Sequence, residues 1–350
     1  MEADYLIVGA GLAGIAFAEK CLQNNKSILV FDNKSQTSST IAAGLYNPVI
    51  LKRFSGLQDA QAHIDLLRTF YNSIEVKLNV KIDFIVPILR KFFSIEEQNN
   101  WFIASDKPNL SPFLSLDLIK TKYAGIDSPF DFGEVLQTGF VDTALLLKSY
   151  HSYLIDYSLL SDEAFDYNKI CFVDNYIIYN EIKAKHIVFA EGFGMGSNPF
   201  FNDLPLDGTK GELFIIKAPN LNLDVIVNTS VFILPLGKDL FKVGATYNWI
   251  DKTNIPTEHA KLELIDRIKE IINCDFEIIN HFAGVRPTVK DRKTLIGTHY
   301  IHKNVHILNG LGTRGVMLAP TMAKILFESI EYNISIDSTI NIDRFYKKMK

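Results

Sequence analysis

The chain has 350 residues, and its composition of 47% hydrophobic and 22% charged residues is typical of a globular protein large enough for two domains. Its 36 basic and 40 acidic residues give a formal net charge of -4, which does not favour general binding to nucleic-acid backbones. No apolar run reaches the roughly 20 residues that span a bilayer, and the sequence begins without a basic, cleavable leader, so we expect a cytoplasmic protein that does not contact a membrane.

The N-terminal segment predicts a βαβ unit. Residues 5–8 have the pattern of a buried strand, residues 12–23 that of a helix, and residues 27–31 that of a second strand ending at Asp32. The GxGxxG turn between strand and helix includes Gly9, Gly11, Leu12, Ala13 and Gly14. Amides of such a turn bind a pyrophosphate, and Asp32 would accept hydrogen bonds from a ribose. Because a carboxylate disfavours a 2′-phosphate, this unit predicts FAD or NAD and not NADP.

The next part of the chain indicates an inserted second domain. A long amphipathic helix is predicted at residues 57–78, where apolar residues recur at helical spacing. From residue 81 the pattern changes to strand-like segments at 81–89 and a helix at 94–104. We interpret this change as the start of a domain outside the nucleotide-binding fold.

Further elements follow in the second half of the chain. A helix is predicted at residues 142–154, with Asp142 near its N-terminus. A hairpin at 171–179 precedes a buried strand at 186–190, and a second hairpin at 231–246 is assigned to a sheet outside the nucleotide-binding fold. A helix at 258–272 completes this region.

Two later turns favour FAD over NAD. The strand 186–190 ends in Ala190-Glu191-Gly192, where flavoproteins commonly have Ala-Thr-Gly. A strand at 305–308 leads through a second glycine-rich turn to a helix at 316–330. The turn and the start of that helix comprise Gly310, Gly312, Thr313, Arg314, Gly315 and Val316. Because no second βαβ unit follows, we interpret this turn as a helix N-terminus that stabilises negative charge on a reduced flavin ring.

Seven segments resemble the D-amino-acid oxidase superfamily of FAD enzymes, in the same order along the chain. They are residues 9–14, 43–44, 139–142, 208–213, 243–246, 283–287 and 310–320. The segments AGVRP (283–287) and GLGTRGVMLAP (310–320) most resemble glycine oxidase and the flavin domain of the bifunctional enzyme that makes 5-methylaminomethyl-2-thiouridine in tRNA. The resemblance extends over nearly the whole chain.

The resemblance implies an α/β fold, α+β overall, with two domains. A Rossmann-like FAD-binding domain, discontinuous in sequence, is expected at residues 1–80, 135–205 and 283–350. An inserted antiparallel-sheet substrate domain is expected at residues 81–134 and 206–282. No cysteine stands near the C-terminal loop, where sarcosine oxidases attach flavin covalently, so non-covalent FAD is expected.

The resemblance also implies roles for individual residues. Arg286 matches the arginine that binds the substrate carboxylate, whereas Phe232 stands where some D-amino-acid oxidases have a carboxylate-binding tyrosine. Arg314 matches a residue of the loop under the flavin pyrimidine ring. The catalytic candidates are Arg286, Arg314 and Tyr247, and Tyr46 is a further candidate pocket residue. The remaining cofactor-binding candidates are Ala43, Gly44, Ala190 and Gly192.

Three functions follow from these observations. The first is FAD-dependent oxidation of the C-N bond of a glycine-like or secondary amino acid, by hydride transfer to flavin N5. The second is the same chemistry on the carboxymethylaminomethyl group of a tRNA wobble uridine, which the low basic content and the absence of a methyltransferase domain disfavour. The third is a non-catalytic or NAD-binding Rossmann protein, which the C-terminal turn disfavours. The sequence is compatible with an oxidase or a dehydrogenase, and with a monomer or an oligomer.

Overall fold

The computed structural model describes residues 1–346 and contains both strands and helices. The strands, in chain order, are β1 (Glu2–Val8), β2 (Ile28–Phe31), β3 (Leu45–Tyr46), β4 (Val49–Ile50), β5 (Ser55–Gly56), β6 (Asp83–Ile85), β7 (Ile88–Lys91), β8 (Leu114–Ile119), β9 (Phe132–Val135), β10 (Gly139–Val141), β11 (Leu160–Ser161), β12 (Ile170–Val173), β13 (Tyr176–Tyr179), β14 (Ile182–Phe189), β15 (Thr209–Lys217), β16 (Ile226–Asn228), β17 (Phe232–Gly237), β18 (Leu240–Gly244), β19 (Glu277–Arg286), β20 (Leu295–Thr298) and β21 (Val305–Asn309). The α-helices are α1 (Leu12–Gln23), α2 (Ser38–Ile41), α3 (Ala60–Leu78), α4 (Ile95–Ser105), α5 (Thr143–Asp156), α6 (Glu258–Lys269), α7 (Gly315–Tyr332) and α8 (Asp343–Tyr346). Short 3₁₀ helices lie at Tyr167–Lys169, Gly192–Ser197 and Gly312–Arg314. Within residues 1–346 no helix has the length and apolar character needed to cross a membrane.

The first sheet contains the N-terminal βαβ unit. Its strand order is β11-β2-β1-β14-β13-β12, and β21 pairs with both β14 and β20. Strand β1 is parallel to β2 and β14, and β14 is parallel to β21. The carboxyl ends of these strands therefore meet at one edge, where ligands bind in sheets of this type. The predicted βαβ unit and the predicted hairpin at 171–179, which forms β12 and β13, are confirmed.

The second sheet is largely antiparallel. Its strand order is β19-β15-β18-β17-β16-β7-β9-β8, with β16 and β7 parallel. The hairpin predicted at 231–246 forms β17 and β18 in this sheet, outside the first one as expected. Smaller sheets pair β3, β10 and β6, and β4 with β5. The domain limits remain a prediction, and residues 347–350 lie outside the described residues.

Helix boundaries differ from the predictions where a local backbone feature intervenes. Helix α3 begins at Ala60 and not at residue 57, because Asp59 adopts a left-handed conformation with φ 52° just before it. Helix α6 ends at Lys269 and not at residue 272, and the chain turns there as Ile271 N donates to Ile268 O. The N-terminus predicted at Asp142 is confirmed, since its carboxylate accepts from the Leu145 amide at 3.0 Å.

A pair of histidines, His306 buried and His186 half-buried, joins β14 to β21 in the first sheet. His186 Nδ1 lies 3.1 Å from His306 Nε2, and Thr298 Oγ1 lies 2.9 Å from His306 Nδ1. Burial lowers the pKa of both imidazoles, most strongly for His306, where the neighbouring His186 adds to the effect. Both rings are therefore neutral in the folded protein at neutral pH.

The histidine pair predicts a pH-dependent stability. Below about pH 6.5 the unfolded chain binds protons that the folded chain does not, so the free energy of unfolding should fall as the pH is lowered. Urea unfolding at about pH 7.5 and about pH 5.5 measures this slope. In His306→Gln the slope should be shallower, because one depressed pKa has been removed. An equal slope in the variant would contradict the assignment to this pair.

Candidate active site

A cavity of about 2270 Å³ connects the carboxyl edge of the first sheet with the second sheet. Its walls include Val8 and Phe31 at the ends of β1 and β2, and Gly244 and Arg286 at the ends of β18 and β19. Every site residue predicted from the sequence lines this cavity, with the exception of Gly14. The fold thus brings together residues that are separated by most of the chain.

The N-terminal glycine turn closes one end of the cavity. Gly11 is the N-cap residue of α1 and has no side chain to cap that helix. The Leu12 amide donates to Ser39 Oγ at 3.4 Å, and the next amides of the first turn remain available to a ligand. A Cβ atom on Gly14 would lie 1.8 Å from Gly9 O, and one on Gly9 would lie 2.5 Å from Ala190 O. Gly14 therefore allows α1 to pack closely on β1, which explains why it lies outside the cavity wall.

The carboxylate predicted to bind a ribose has a neighbour that the sequence analysis missed. His151 Nε2 on α5 lies 3.5 Å from Asp32 Oδ2 and 3.0 Å from Ala10 O in the glycine turn. A carbonyl only accepts, so Nε2 carries the proton and donates to it. His151 thus fixes the end of β2 relative to the glycine turn. No local sequence pattern marks His151, because its contact with Asp32 joins two elements that are far apart in the chain.

The second glycine turn opens into the same cavity. Gly310 and Gly312 adopt positive φ values of 72° and 56°, and neither the 3₁₀ turn nor helix α7 after it has a side-chain cap. Asn309 Nδ2 donates to Gly192 O at 2.9 Å, which joins this turn to the one that follows β14.

The predicted residue Gly44 also requires the absence of a side chain. Gly44 has φ 73°, and a Cβ atom there would lie 1.9 Å from Val141 O.

These features fit FAD. The N-termini of α1 and α7 open into one cavity, and helix N-termini favour anionic groups through their free amides and dipole. One of them lies beside Asp32, as a nucleotide end requires, and the other begins at Gly315, near Arg286. None of the three cysteines lines the cavity. The residues present can therefore hold a dinucleotide along the cavity without a covalent bond.

Arg286 projects into this cavity from the end of β19. Its Nη1 donates to Thr246 O at 3.3 Å, and its guanidinium carbon lies 4.7 Å from the centre of the Tyr247 ring. Burial lowers the pKa of Arg286, opposed by Tyr247, although a guanidinium stays charged at neutral pH. Among the described residues no carboxylate forms an ion pair with Arg286. The Arg286 guanidinium is therefore a charged group that can bind an anion.

Gly211 creates the space that the Arg286 side chain occupies. The two residues lie on adjacent strands, with Thr209 paired to Arg286 and Gly211 paired to Gly284. A Cβ atom on Gly211 would lie 2.0 Å from Arg286 Nη2. In the sequence, Gly211 is recognisable only as part of the family pattern at residues 208–213, because its contact with Arg286 joins residues far apart in the chain.

Gly211→Ala should therefore displace the guanidinium while FAD remains bound. Loss of the charge-assisted contact should weaken carboxylate binding by roughly 10- to 100-fold. The shift of the flavin absorption spectrum during titration with a carboxylate ligand measures this affinity. Gly196→Ala is the matched control, because a Cβ atom there meets nothing within 4 Å. Unchanged carboxylate affinity in Gly211→Ala would contradict a binding role for Arg286.

The other candidate residues fall into two groups. Tyr247 and Arg314 line the cavity with Arg286, and burial lowers the pKa of Arg314, with Tyr247 opposing and Arg292 adding to the effect. Phe232 also lines it but offers no hydroxyl. Tyr46 lines the cavity, but its hydroxyl is engaged in a 3.0 Å hydrogen bond to Asp83, so packing is its main role.

Comparison with protein families gives a match over residues 4–329 to the family described as DAO, FAD dependent oxidoreductase. Among curated proteins, glycine oxidase of Bacillus subtilis (strain 168) is 20% identical over 352 residues, covering 93% of this chain and 92% of that protein. A tRNA 5-methylaminomethyl-2-thiouridine biosynthesis bifunctional protein of Campylobacter jejuni is 28% identical over 116 residues, covering 33% of this chain and 19% of that protein.

A solved structure has the same fold. The crystal structure of glycine oxidase from Geobacillus kaustophilus superimposes with a TM-score of 0.77 at 16% identity, covering 97% of this chain and 98% of that one. The predicted α/β fold and the prediction of FAD as cofactor are confirmed. The alternative of an NAD-binding or non-catalytic Rossmann protein is wrong.

Proposed function

The chain belongs to the DAO family of FAD-dependent oxidoreductases, and we propose that it oxidises the C-N bond of a glycine-like or secondary amino acid. The observation that carries the proposal is the Arg286 guanidinium, which has no carboxylate partner among the described residues and lines the same cavity as both glycine turns. A substrate carboxylate would supply the missing partner.

The protein's part in this reaction is to bind and orient. Bound FAD supplies the acceptor for the hydride that leaves the carbon beside the nitrogen. Arg286 would bind the carboxylate through two parallel hydrogen bonds, a geometry that lysine cannot reproduce. The Tyr247 ring beside the guanidinium limits its movement. These contacts fix which C-H bond of the substrate points at the cofactor.

The positive charges in the cavity also affect the substrate amine. Arg286 and Arg314 both line it, and nearby like charges disfavour protonation of a bound ammonium group. Hydride can leave only when the nitrogen lone pair is free to form the imine. The two arginines thus promote the neutral amine from which the reaction starts, and the released proton goes to solvent.

Anaerobic mixing of the purified protein with a panel of amines tests the proposal. Glycine, sarcosine or D-proline should bleach the flavin absorbance, whereas amines of the same size without a carboxylate should react poorly. Bleaching by carboxylate-free amines alone would overturn the amino-acid assignment.

A second candidate is favoured by the match to the tRNA-modifying bifunctional protein. Removal of a carboxymethyl group from a wobble uridine is the same C-N oxidation, so the cavity residues serve either substrate. Undermodified tRNA belongs in the same anaerobic panel for this reason. If tRNA bleaches the flavin and free amino acids do not, the second candidate replaces the first.

A further inference from the structure

A second cationic group stands at the mouth of the cavity, apart from the arginine assigned to the substrate carboxylate. Arg292 lies on the connection between β19 and β20, is exposed, and lines the cavity. Its guanidinium carbon lies 5.8 Å from the centre of the Trp249 ring. Among the described residues no carboxylate forms an ion pair with Arg292.

We propose that Arg292 and Trp249 form a second anion-binding site, and that the substrate is an amino acid with a second carboxylate. This inference rests on the proposed function, because it assigns the first carboxylate to Arg286. It adds a specificity residue and a substrate class to that function.

The turn that presents Arg292 is held rigidly. Arg344 Nε donates to Asp291 Oδ2 at 2.9 Å, and Arg344 Nη2 donates to Thr294 O at 3.0 Å. The Arg292 amide donates to Val289 O at 2.9 Å, which closes the turn. Because Asp291 is engaged by Arg344, the acidic neighbour in sequence does not neutralise Arg292. The turn that carries Arg292 is therefore held in place, and its guanidinium is available to a ligand.

The segment that carries Trp249 is anchored as well. Lys252 Nζ donates to Trp249 O and to Gly208 O, both at 2.8 Å. The fully buried Lys210 donates to Asp251 Oδ2 at 2.5 Å, which ties the segment to β15. Trp249 is nevertheless 41% exposed. A large aromatic ring held at a cavity mouth on a braced loop is suited to orienting the guanidinium beside it.

The second site lies at the end of the cavity that contains Arg286 and Arg314. Tyr247, which contacts Arg286, is two residues from Trp249, which contacts Arg292. Arg292 also lies near enough to Arg314 to lower the pKa of that guanidinium. Arg292 is therefore associated with the residues assigned to substrate and not with the N-terminal glycine turn beside Asp32.

The charge of the whole cavity wall agrees with an acidic ligand. Ten of its lining residues are lysine or arginine and six are aspartate or glutamate, although the chain as a whole has a net charge of -4. A cavity wall with an excess of basic residues favours anionic ligands, which include the FAD pyrophosphate and an acidic substrate.

Two matched substrate pairs test the inference by anaerobic stopped-flow reduction of the flavin. Iminodiacetate and its monoamide differ in one charge and carry the second group on the nitrogen. D-Glutamate and D-glutamine differ in the same way and carry it on the α-carbon. In one pair the acid should reduce the flavin with a second-order rate constant about 10-fold or more above that of its amide, since a charge-assisted contact is roughly twice as strong as a neutral one. The pair that shows the preference identifies where the second carboxylate is attached.

Arg292→Met should remove that preference. The variant should slow the acid by about 10-fold and change the amide by less than about 2-fold, because the amide makes no ion pair. Lys290→Met is the matched control, since Lys290 is an exposed cation in the same connection that does not line the cavity, and it should leave the preference intact.

The outcomes separate the two levels of the proposal. If glycine or sarcosine reduces the flavin but neither acid outpaces its amide, the second site is refuted and the proposed function stands. Equal losses on acid and amide in Arg292→Met would also refute the second site. If no amino acid in either set reduces the flavin, the proposed function fails and this inference fails with it.

Discussion

Replacing Arg286 by lysine is expected to leave FAD bound and to lower the second-order rate constant for flavin reduction by an amino acid by about one order of magnitude or more. Lysine keeps the charge but cannot form the planar two-point contact with a carboxylate. Arg286→Ala should lose more, because the charge is also removed. Stopped-flow measurement of flavin bleaching, at several substrate concentrations, gives the rate constants for each variant.

A carboxylate-free amine is the control substrate for these variants. If it reacts, its rate should be nearly the same in the wild type, Arg286→Lys and Arg286→Ala, because the arginine has no carboxylate to hold. Thermal unfolding of each variant checks that the fold is retained. Equal losses for both kinds of substrate would assign Arg286 to the structure or to the flavin, and the amino-acid assignment would then be abandoned.

The second large effect is expected at Gly11. A Cβ atom there meets only the Ser39 side chain, at 3.2 Å, so the fold itself tolerates a small side chain. The branched side chain of Gly11→Val would extend into the space where the turn approaches a pyrophosphate. The variant should fold as a colourless protein, with affinity for FAD lower by about 100-fold or more.

Flavin content after purification and fluorescence titration with FAD measure this loss. Gly196→Val is the control, because Gly196 lies outside the cavity wall and has open space around it. Acid precipitation of the wild type should release intact FAD, as expected for a cofactor without a covalent bond. Normal flavin content in Gly11→Val, or flavin retained in the protein pellet, would contradict the assignment of this turn.

Local sequence patterns were sufficient for much of the fold. The turn at Gly9 to Gly14 and the carboxylate of Asp32 follow from a strand, a helix and a strand in a short stretch, where spacing alone determines geometry. The hairpin formed by β17 and β18 was likewise predicted from its turn residues and from the strand-like pattern on either side of the turn. Helix ends were less accurate, since left-handed residues such as Asp59 are not encoded by periodicity.

The details of the site depend on contacts that no local pattern reports. The fit of the Arg286 guanidinium over Gly211 requires knowledge of the register between β15 and β19. The approach of His151 to Asp32 depends on how α5 packs against the end of β2. The contact between Arg292 and Trp249 joins the connection after β18 to the connection between β19 and β20. Each is a tertiary contact, and the fold had to be known before any of them was visible.

The product of a single anaerobic turnover tests most directly whether the substrate is oxidised at the carbon that bears its carboxylate. The wild-type protein is mixed without oxygen with an excess of an amino acid that bleaches its flavin, and the carbonyl product is trapped and quantified. Oxidation at the carbon that bears the carboxylate predicts one 2-oxo acid formed for each flavin reduced. Bleaching without a 2-oxo acid, or formation of an aldehyde that lacks the carboxylate, would contradict it.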